Sequence, residues 1–241
     1  MANTKIRLFV DHALGQGQTV PLSADQAHYL FGVMRRGAGD VLSVFNGKDG
    51  EWRAEVAEAG KRKGNLVILA QDRDQTALPD LWLLFAPLKK ARTDFLVEKA
   101  VELGAAKIIP VLTDYTNSER VRPDRLQAHA VEAAEQSNGL TVPEIADPIK
   151  LERLLADWPE DRQLIFCDEA AAGAPAGEFK PHDGPAAILI GPEGGFSPAE
   201  RSRLHGLTFG STISLGPRIL RAETAAVAAL SLWMAVRGDW G

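Results

Sequence analysis

Two segments near the C-terminus combine residue types that can build a small-molecule site. The first is Ile188-Leu189-Ile190-Gly191-Pro192-Glu193-Gly194-Gly195-Phe196-Ser197, an apolar run ending in a loop with three glycines in five residues. Glycine has no Cβ, so backbone amides and carbonyls there can approach a ligand closely. The second is Ser214-Leu215-Gly216-Pro217-Arg218-Ile219-Leu220-Arg221-Ala222-Glu223-Thr224, which also leaves an apolar run through Gly-Pro. Ile219 and Leu220 are odd loop residues unless they face something apolar, such as an adenine ring. Arg221 and Glu223 then set a cation and an anion beside a helix start. Neither segment has the G-x-G-x-x-G spacing of a dinucleotide fingerprint or the Gly-Lys-Ser/Thr of a phosphate loop. Taken alone, the first segment equally suits a tight turn from strand to helix.

The elements around these loops read as a repeating strand-helix pattern. Strands are expected at Leu81–Ala86, Lys107–Leu112, Gln163–Cys167, Ala186–Ile190 and Thr212–Leu215. Helices are expected at Ala91–Leu103 (with Gly104 as its C-terminal stop), Asp124–Ser137 and Ala222–Val236. Ser197-Pro198-Ala199-Glu200 joins an N-cap serine, a first-turn proline and a capping-box glutamate, and so starts one more helix. Such alternation builds an α/β domain on a largely parallel sheet. Ligands bind beyond the carboxyl ends of its strands, where both glycine loops lie. The two loops share one rim if their strands are neighbours. Asp168 and Glu169 leave another strand end and can line the same pocket, though solvated loop acids are the commoner case. Cys167 reads as a core thiol.

The first seventy residues differ in texture. Short β-prone runs at Lys5–Val10, Asp40–Phe45, Glu51–Val56 and Leu66–Ala70 surround one helix, which a Ser23–Gln26 capping box opens toward Met34. The turn Asn46-Gly47-Lys48-Asp49-Gly50 makes a hairpin of the second and third runs. Gln71 to Pro79 is polar and ends in proline, which places the domain boundary there: residues 1–73 as a small β-barrel-like domain, 74–241 as the α/β domain.

Composition bounds the function. The 241 residues carry 27 Lys plus Arg against 32 Asp plus Glu, a net charge of −5, which excludes coating of nucleic acid by bulk charge. The charge is unevenly shared: residues 1–75 sum to +1 and 76–241 to −6. Any polyanionic partner meets less repulsion from the N-terminal domain. One cysteine excludes an internal disulfide framework, and five histidines (His12, His28, His129, His182 and His205) without ligand spacing predict no metal site. The most apolar stretch, Thr224 to Val236, is too short to span a bilayer, and the N-terminus lacks a signal-like apolar run, so the chain is expected to be soluble and cytoplasmic.

GPEGGFSPAE followed by LGPRILRAETAAVAAL closely resembles the bacterial 16S rRNA uridine-N3 methyltransferase family (RsmE-like) of the SPOUT superfamily. VMRRGAGDVLSVFNG, VEKAVELGAAKIIPV and AAEQSN with VPEI extend the resemblance over nearly the whole chain. The family implies a PUA-like RNA-binding β-barrel at residues 1–73 and a trefoil-knotted methyltransferase domain at 74–241. It also implies a bound S-adenosylmethionine, a homodimer, and methylation at N3 of uridine 1498 in the 16S rRNA of the small ribosomal subunit. A catalytically silent RNA-binding or ribosome-assembly factor on the same scaffold is the alternative. The intact loop glycines favour the enzyme.

That reaction sets demands on the residues. Neutral uridine N3 carries a proton and a delocalised lone pair, so the site must remove the proton and stabilise charge on the flanking carbonyl oxygens. A guanidinium fork suits the second task, which points to Arg221. Glu223 is the nearest motif carboxylate, but a helix N-terminus favours its anion and makes it a weak base. It can instead tie the loop to the last helix, with the proton passing to water. By the resemblance, the cofactor lies among Ile190, Gly191, Pro192, Glu193, Gly194, Gly195, Leu215, Gly216, Ile219, Leu220 and Thr224, with Leu88 as a further wall. Arg7, Arg35 and Arg36 are expected on RNA phosphates, with Lys61, Arg62 and Lys63, although such a basic run is usually a solvated turn. Many relatives carry an arginine just after AAEQS, where this chain has Asn138-Gly139-Leu140-Thr141.

Overall fold

Over the first six residues of Gly64–Arg73 the side chains alternate between buried and half-buried, the period of a strand with one face on a core. In the computed structural model, which describes residues 6–117, 120–168 and 181–240, this segment is β5. It pairs antiparallel with β2 (Thr19–Pro21) and β4 (Glu51–Ala59), and β4 pairs with β3 (Val41–Phe45). The short β1 (Arg7–Phe9) closes the order β1-β3-β4-β5-β2 by running parallel to β3. Three register shifts between β4 and β5 curl this sheet, as bulges do. Leu8, Val20, Leu42, Val44, Ala54, Val56, Leu66 and Ile68 form its core. The Ser23 capping box is present, with Ser23 Oγ accepting from the Gln26 amide and the Gln26 side chain accepting from the Ser23 amide. The helix it opens, α1 (Ala24–Ala27), passes into a π-helical turn at His28–Val33 rather than continuing as α-helix.

The chain packs as two units, and the division is not a single cut. One unit holds the described residues up to Ala77 together with Ala134–Thr141; the other holds Leu78–Ala133 and the described residues from Val142 onward. Arg7 explains how the inserted piece is held. Its guanidinium donates to the carbonyl oxygens of Ala134 (2.8 Å), Glu135 (3.1 Å) and Gly139 (2.6 Å). These lie at the end of α3 (Pro123–Gln136) and the turn beyond it, where helix carbonyls lack intrahelical partners. Asn138 turns the chain there with φ of +63°.

The second unit is a seven-stranded sheet whose pairings are all parallel, as the alternation predicts. Its strands are β6 (Leu81–Phe85), β7 (Lys107–Leu112), β8 (Glu144–Ile145), β9 (Ile149–Lys150), β10 (Gln163–Cys167), β11 (Ala186–Ile190) and β12 (Gly210–Ile213), in the order β12-β10-β11-β6-β7-β8, with β9 also on β7. Every residue of β11 is buried, which accounts for its uninterrupted apolar sequence. The helices are α2 (Lys90–Glu102), α3, α4 (Leu151–Ala156), α5 (Pro198–His205) and α6 (Ala222–Arg237). The two-residue strands β8 and β9 and the short α4 carry too few residues to show a periodicity, and sequence reading does not find them. The Ala-rich α6 packs on α2 and β11, so its small residues allow close approach of the three elements. Among the described residues no helix is long and apolar enough to cross a membrane.

Candidate active site

The two glycine loops leave β11 and β12, which are not neighbours: β10 runs between them. They nevertheless converge at the carboxyl end of β10, whose last residue, Cys167, lines the same space as both loops. A cavity of about 520 Å³ lies there. Ile190, Gly191, Pro192, Glu193 and Gly195 line it from the first loop, and Leu215, Gly216, Ile219, Leu220 and Arg221 from the second. Cys167 and Asp168 contribute from the end of β10. Glu169 lies outside the described residues. Ile219 is 77% exposed, so it offers an apolar surface at the cavity that no part of the described chain covers.

Three of the expected cofactor residues stand elsewhere. Leu88 is buried and lines an adjoining cleft, its amide and carbonyl both hydrogen-bonded to Thr93 Oγ1. Gly194 is turned toward Tyr115, where a Cβ would stand 3.4 Å from the tyrosine Cβ. Thr224 is exposed one residue past Glu223 in the first turn of α6.

Local chemistry fixes the loops. Phe196 is buried edge-on to Phe166 of β10, with ring centres 6.4 Å apart. Ser197 caps α5 with its capping-box partner Glu200, and its hydroxyl also donates to Asp114 (2.5 Å). A cap of this kind contributes about 1 kcal/mol. Between these anchors Gly195 has φ of +68°, and Gly216 in the second loop has φ of +99°. A β-branched residue is strained in that region. Gly195→Val is therefore expected to raise the dissociation constant for S-adenosylmethionine about tenfold or more by calorimetry, from a strain of about 1–3 kcal/mol together with the new side chain in the lining. An unchanged affinity would remove the loop from cofactor binding.

Arg92, on the first turn of α2, is the functional side chain that sequence reading misses. It lines the cavity and grips two carboxylates. Its Nε lies 3.0 Å from both oxygens of Glu223, its Nη2 donates to Glu223 Oε2, and its Nη1 donates to Glu193 Oε1 at 2.6 Å. Glu193 and Glu223 are 101 and 131 residues away in sequence, so no spacing could signal the cluster. Adjacency of β6 and β11 is what brings the start of α2 to the glycine loop. Burial pushes the Glu223 carboxyl upward. The Arg92 hydrogen bonds, its own backbone amide and the charges of Arg92 and Arg221 outweigh this, so its pKa falls below the ordinary value. Arg92 is correspondingly held above its own, first through the Glu223 hydrogen bonds. Glu223 itself is not part of the lining. Asp168, 3% exposed in its side chain, pairs with His205 (3.1 Å) and Arg201 (3.3 Å). Burial pushes the Cys167 thiol up to about 12, so it stays protonated at neutral pH and is no nucleophile. Among the described residues there is no cluster of three or more His, Cys, Asp or Glu side chains suited to a metal ion.

The basic residues of the first unit divide. Arg7 is 10% exposed; besides three carbonyls it binds Glu51 at 2.9 Å and lies over the Phe45 ring. Its donors are thus committed inside the protein, and the expected phosphate contact is corrected to a structural one. Arg35 and Arg36 are exposed, Arg35 in the left-handed region with φ of +53°. Lys61, Arg62 and Lys63 are exposed too, and Lys61 and Arg62 line a cleft with His28 and Phe31.

Comparison with known proteins bears on this geometry. The family described as "RNA methyltransferase domain" matches residues 75–234, and "RNA methyltransferase PUA domain" matches 22–69. The ribosomal RNA small subunit methyltransferase E of Rickettsia conorii is 30% identical, over 93% of each chain. That of Synechocystis is 32% identical, over 88% of this chain and 72% of its own. The chain belongs to the ribosomal RNA small subunit methyltransferase E family. A family member from Neisseria gonorrhoeae has been crystallised with S-adenosylmethionine; it covers 98% of this chain and 99% of its own with a TM-score of 0.87 at 27% identity. An RNA methyltransferase domain preceded by a PUA domain accounts for both sheets, the parallel one in the second unit and the curled one in the first.

Proposed function

We propose that the chain transfers the methyl group of S-adenosylmethionine to N3 of uridine 1498 of 16S rRNA in the small ribosomal subunit. The observation that carries this reading is the convergence of both family loops, with Arg221, on one cavity. The residues present suit the cofactor. The cavity is of small-molecule size, and Ile190, Leu215, Ile219 and Leu220 can cover an apolar ring face while loop backbone groups meet polar edges. The buried Asp168 and the exposed Glu193 provide negative charge for a cationic ligand.

When bound, S-adenosylmethionine supplies the methyl carbon as an electrophile on sulfur. The chain's residues must hold the target base in line with it and make N3 nucleophilic. Arg221 caps α6 and lines the cavity, and its side chain makes no hydrogen bond or ion pair with other described residues. Its fork is thus available to planar carbonyl oxygens that gain charge as N3 loses its proton. Glu223, anionic and held on Arg92, anchors that arginine rather than accepting the proton, which leaves solvent as the acceptor. The PUA-like first unit binds RNA through Arg35, Arg36, Lys61, Arg62 and Lys63. The trefoil knot, the homodimer and a cytoplasmic location belong to the same reading; exposed Leu232, Val236 and Trp240 on and just after α6 offer an apolar surface for a second copy.

Mapping N3-methylated uridines in 16S rRNA from cells with and without the protein tests the reaction. The modification at 1498 is expected to vanish with the gene and return with it. Persistence of the mark in its absence would overturn the assignment.

A further inference from the structure

The second unit is the acidic part of the chain, with a net charge of −5 once Glu135 in the inserted piece is counted with the first unit, yet one cleft on it reverses that sign. The cleft, of about 580 Å³, is lined by Lys89, Lys90, Arg120, Arg122 and Arg125, with Asn117 beside them. No acidic side chain is among its described lining residues. Lys89 belongs to the lining of this cleft and of the cofactor cavity alike, so the two adjoin at the start of α2.

Local stability does not account for the cluster. Lys89 is the N-cap of α2 and Lys90 its first residue; the first turn has no acid, and the cap makes no side-chain hydrogen bond. A helix N-terminus carries partial positive charge and favours anions, so two lysines there are unfavourable by themselves. Arg125 is held by Asp94, and Arg122 by Asp124, the latter pair fully at the surface where an ion pair is worth little and exchanges readily. Lys89, Lys90 and Arg120 are exposed, and their side chains make no hydrogen bond or ion pair to other described residues. A site that gathers cations where the fold disfavours them is suited to a polyanion.

We infer that this cleft binds the RNA sugar-phosphate backbone flanking the target nucleotide, so that the methyltransferase domain grips its substrate itself. The inference rests on the proposed reaction for the identity of the RNA. Phosphate contacts fix register and orientation without reading sequence, which is what a single buried base beside a cofactor needs from its neighbours. The shared Lys89 places the phosphates at the mouth of the cofactor cavity. The net negative charge of this unit then serves specificity: RNA is repelled except along one basic track.

The test is the double variant Lys90→Glu/Arg120→Glu in the full-length protein. Lys90→Glu puts an anion at a helix N-terminus and Arg120 is exposed in a loop, so folding is preserved. Calorimetry with S-adenosylmethionine is expected to show unchanged cofactor affinity. Binding to small ribosomal subunits and to a 16S rRNA fragment, titrated against salt, is expected to weaken about tenfold or more. The slope of log K against log salt is expected to flatten by about 1.4 to 1.8, as two lost phosphate contacts require. KM for subunits should rise while kcat at saturation changes little. Unchanged RNA affinity and salt slope would overturn the cleft. If the wild-type protein binds RNA through Lys90 and Arg120 but never methylates, the reaction falls and the cleft stands.

Discussion

Arg221→Ala is expected to lower kcat for subunit methylation about 100- to 1000-fold, with the dissociation constant for S-adenosylmethionine within about threefold of wild type. The reasoning is electrostatic. Deprotonation at N3 spreads charge onto two carbonyl oxygens, and Arg221 is a fixed cation on the cavity wall whose guanidinium makes no hydrogen bond to a described carboxylate. Its removal takes away stabilisation needed most as the proton leaves, so the loss appears in kcat. The variant's rate should climb more steeply with alkaline pH, because raising pH ionises the base without help. Single-turnover methylation of purified subunits from pH 6 to about pH 10 measures this. Turnover equal to wild type would remove Arg221 from the mechanism.

Arg92→Ala is expected to reduce kcat by about 10- to 100-fold and stability by about 1–3 kcal/mol, the size of a charged hydrogen-bond cluster that loses its donor. The variant would leave Glu193 and Glu223 facing each other and the developing anion of the base. A double-mutant cycle with Glu223→Gln separates the possible roles of Glu223. As an anchor, Glu223→Gln costs activity in the wild-type background and almost nothing once Arg92 is gone. As a general base, it costs as much in either background. The sign of the pH dependence follows from the lowered pKa of Glu223. Its contribution to folding is complete above the ordinary carboxylate range and fades only as pH falls through the lowered value. Acid titration of thermal stability should therefore show the Arg92–Glu223 contribution surviving to lower pH than an ordinary glutamate would allow. A loss centred in the ordinary range would contradict the pairing.

Much of the scaffold was legible because it is local. Capping boxes at Ser23 and Ser197 act over three residues, and both are present as written. The expected strand bounds at Gln163–Cys167 and Ala186–Ile190 match the observed ones, since runs of buried apolar residues have no other stable use. Ranges slipped where the signal ends gradually. β12 ends at Ile213 rather than Leu215, because Leu215 faces the cavity instead of pairing with β10.

What escaped the sequence is what depends on distant partners. Arg7 reads in the sequence as one more basic side chain suited to phosphate, and only its three carbonyl contacts reveal a structural use. Arg92 has no motif around it. Ala134–Thr141 sits more than fifty residues beyond any linear boundary, yet packs with the first unit.

By itself the sequence determined an α/β domain after a small curled sheet, two glycine loops at strand ends, and the charge split of +1 against −6. These follow from periodicity, backbone freedom and counting, each of which acts over a few residues or none. Only the tertiary structure decided that the loops meet over β10, that Arg92 binds Glu193 and Glu223 at their mouth, and that a basic cleft adjoins them on the acidic unit. Strand order sets those distances, and strand order is a property of the folded sheet, reached when residues a hundred or more positions apart bury the same apolar surface.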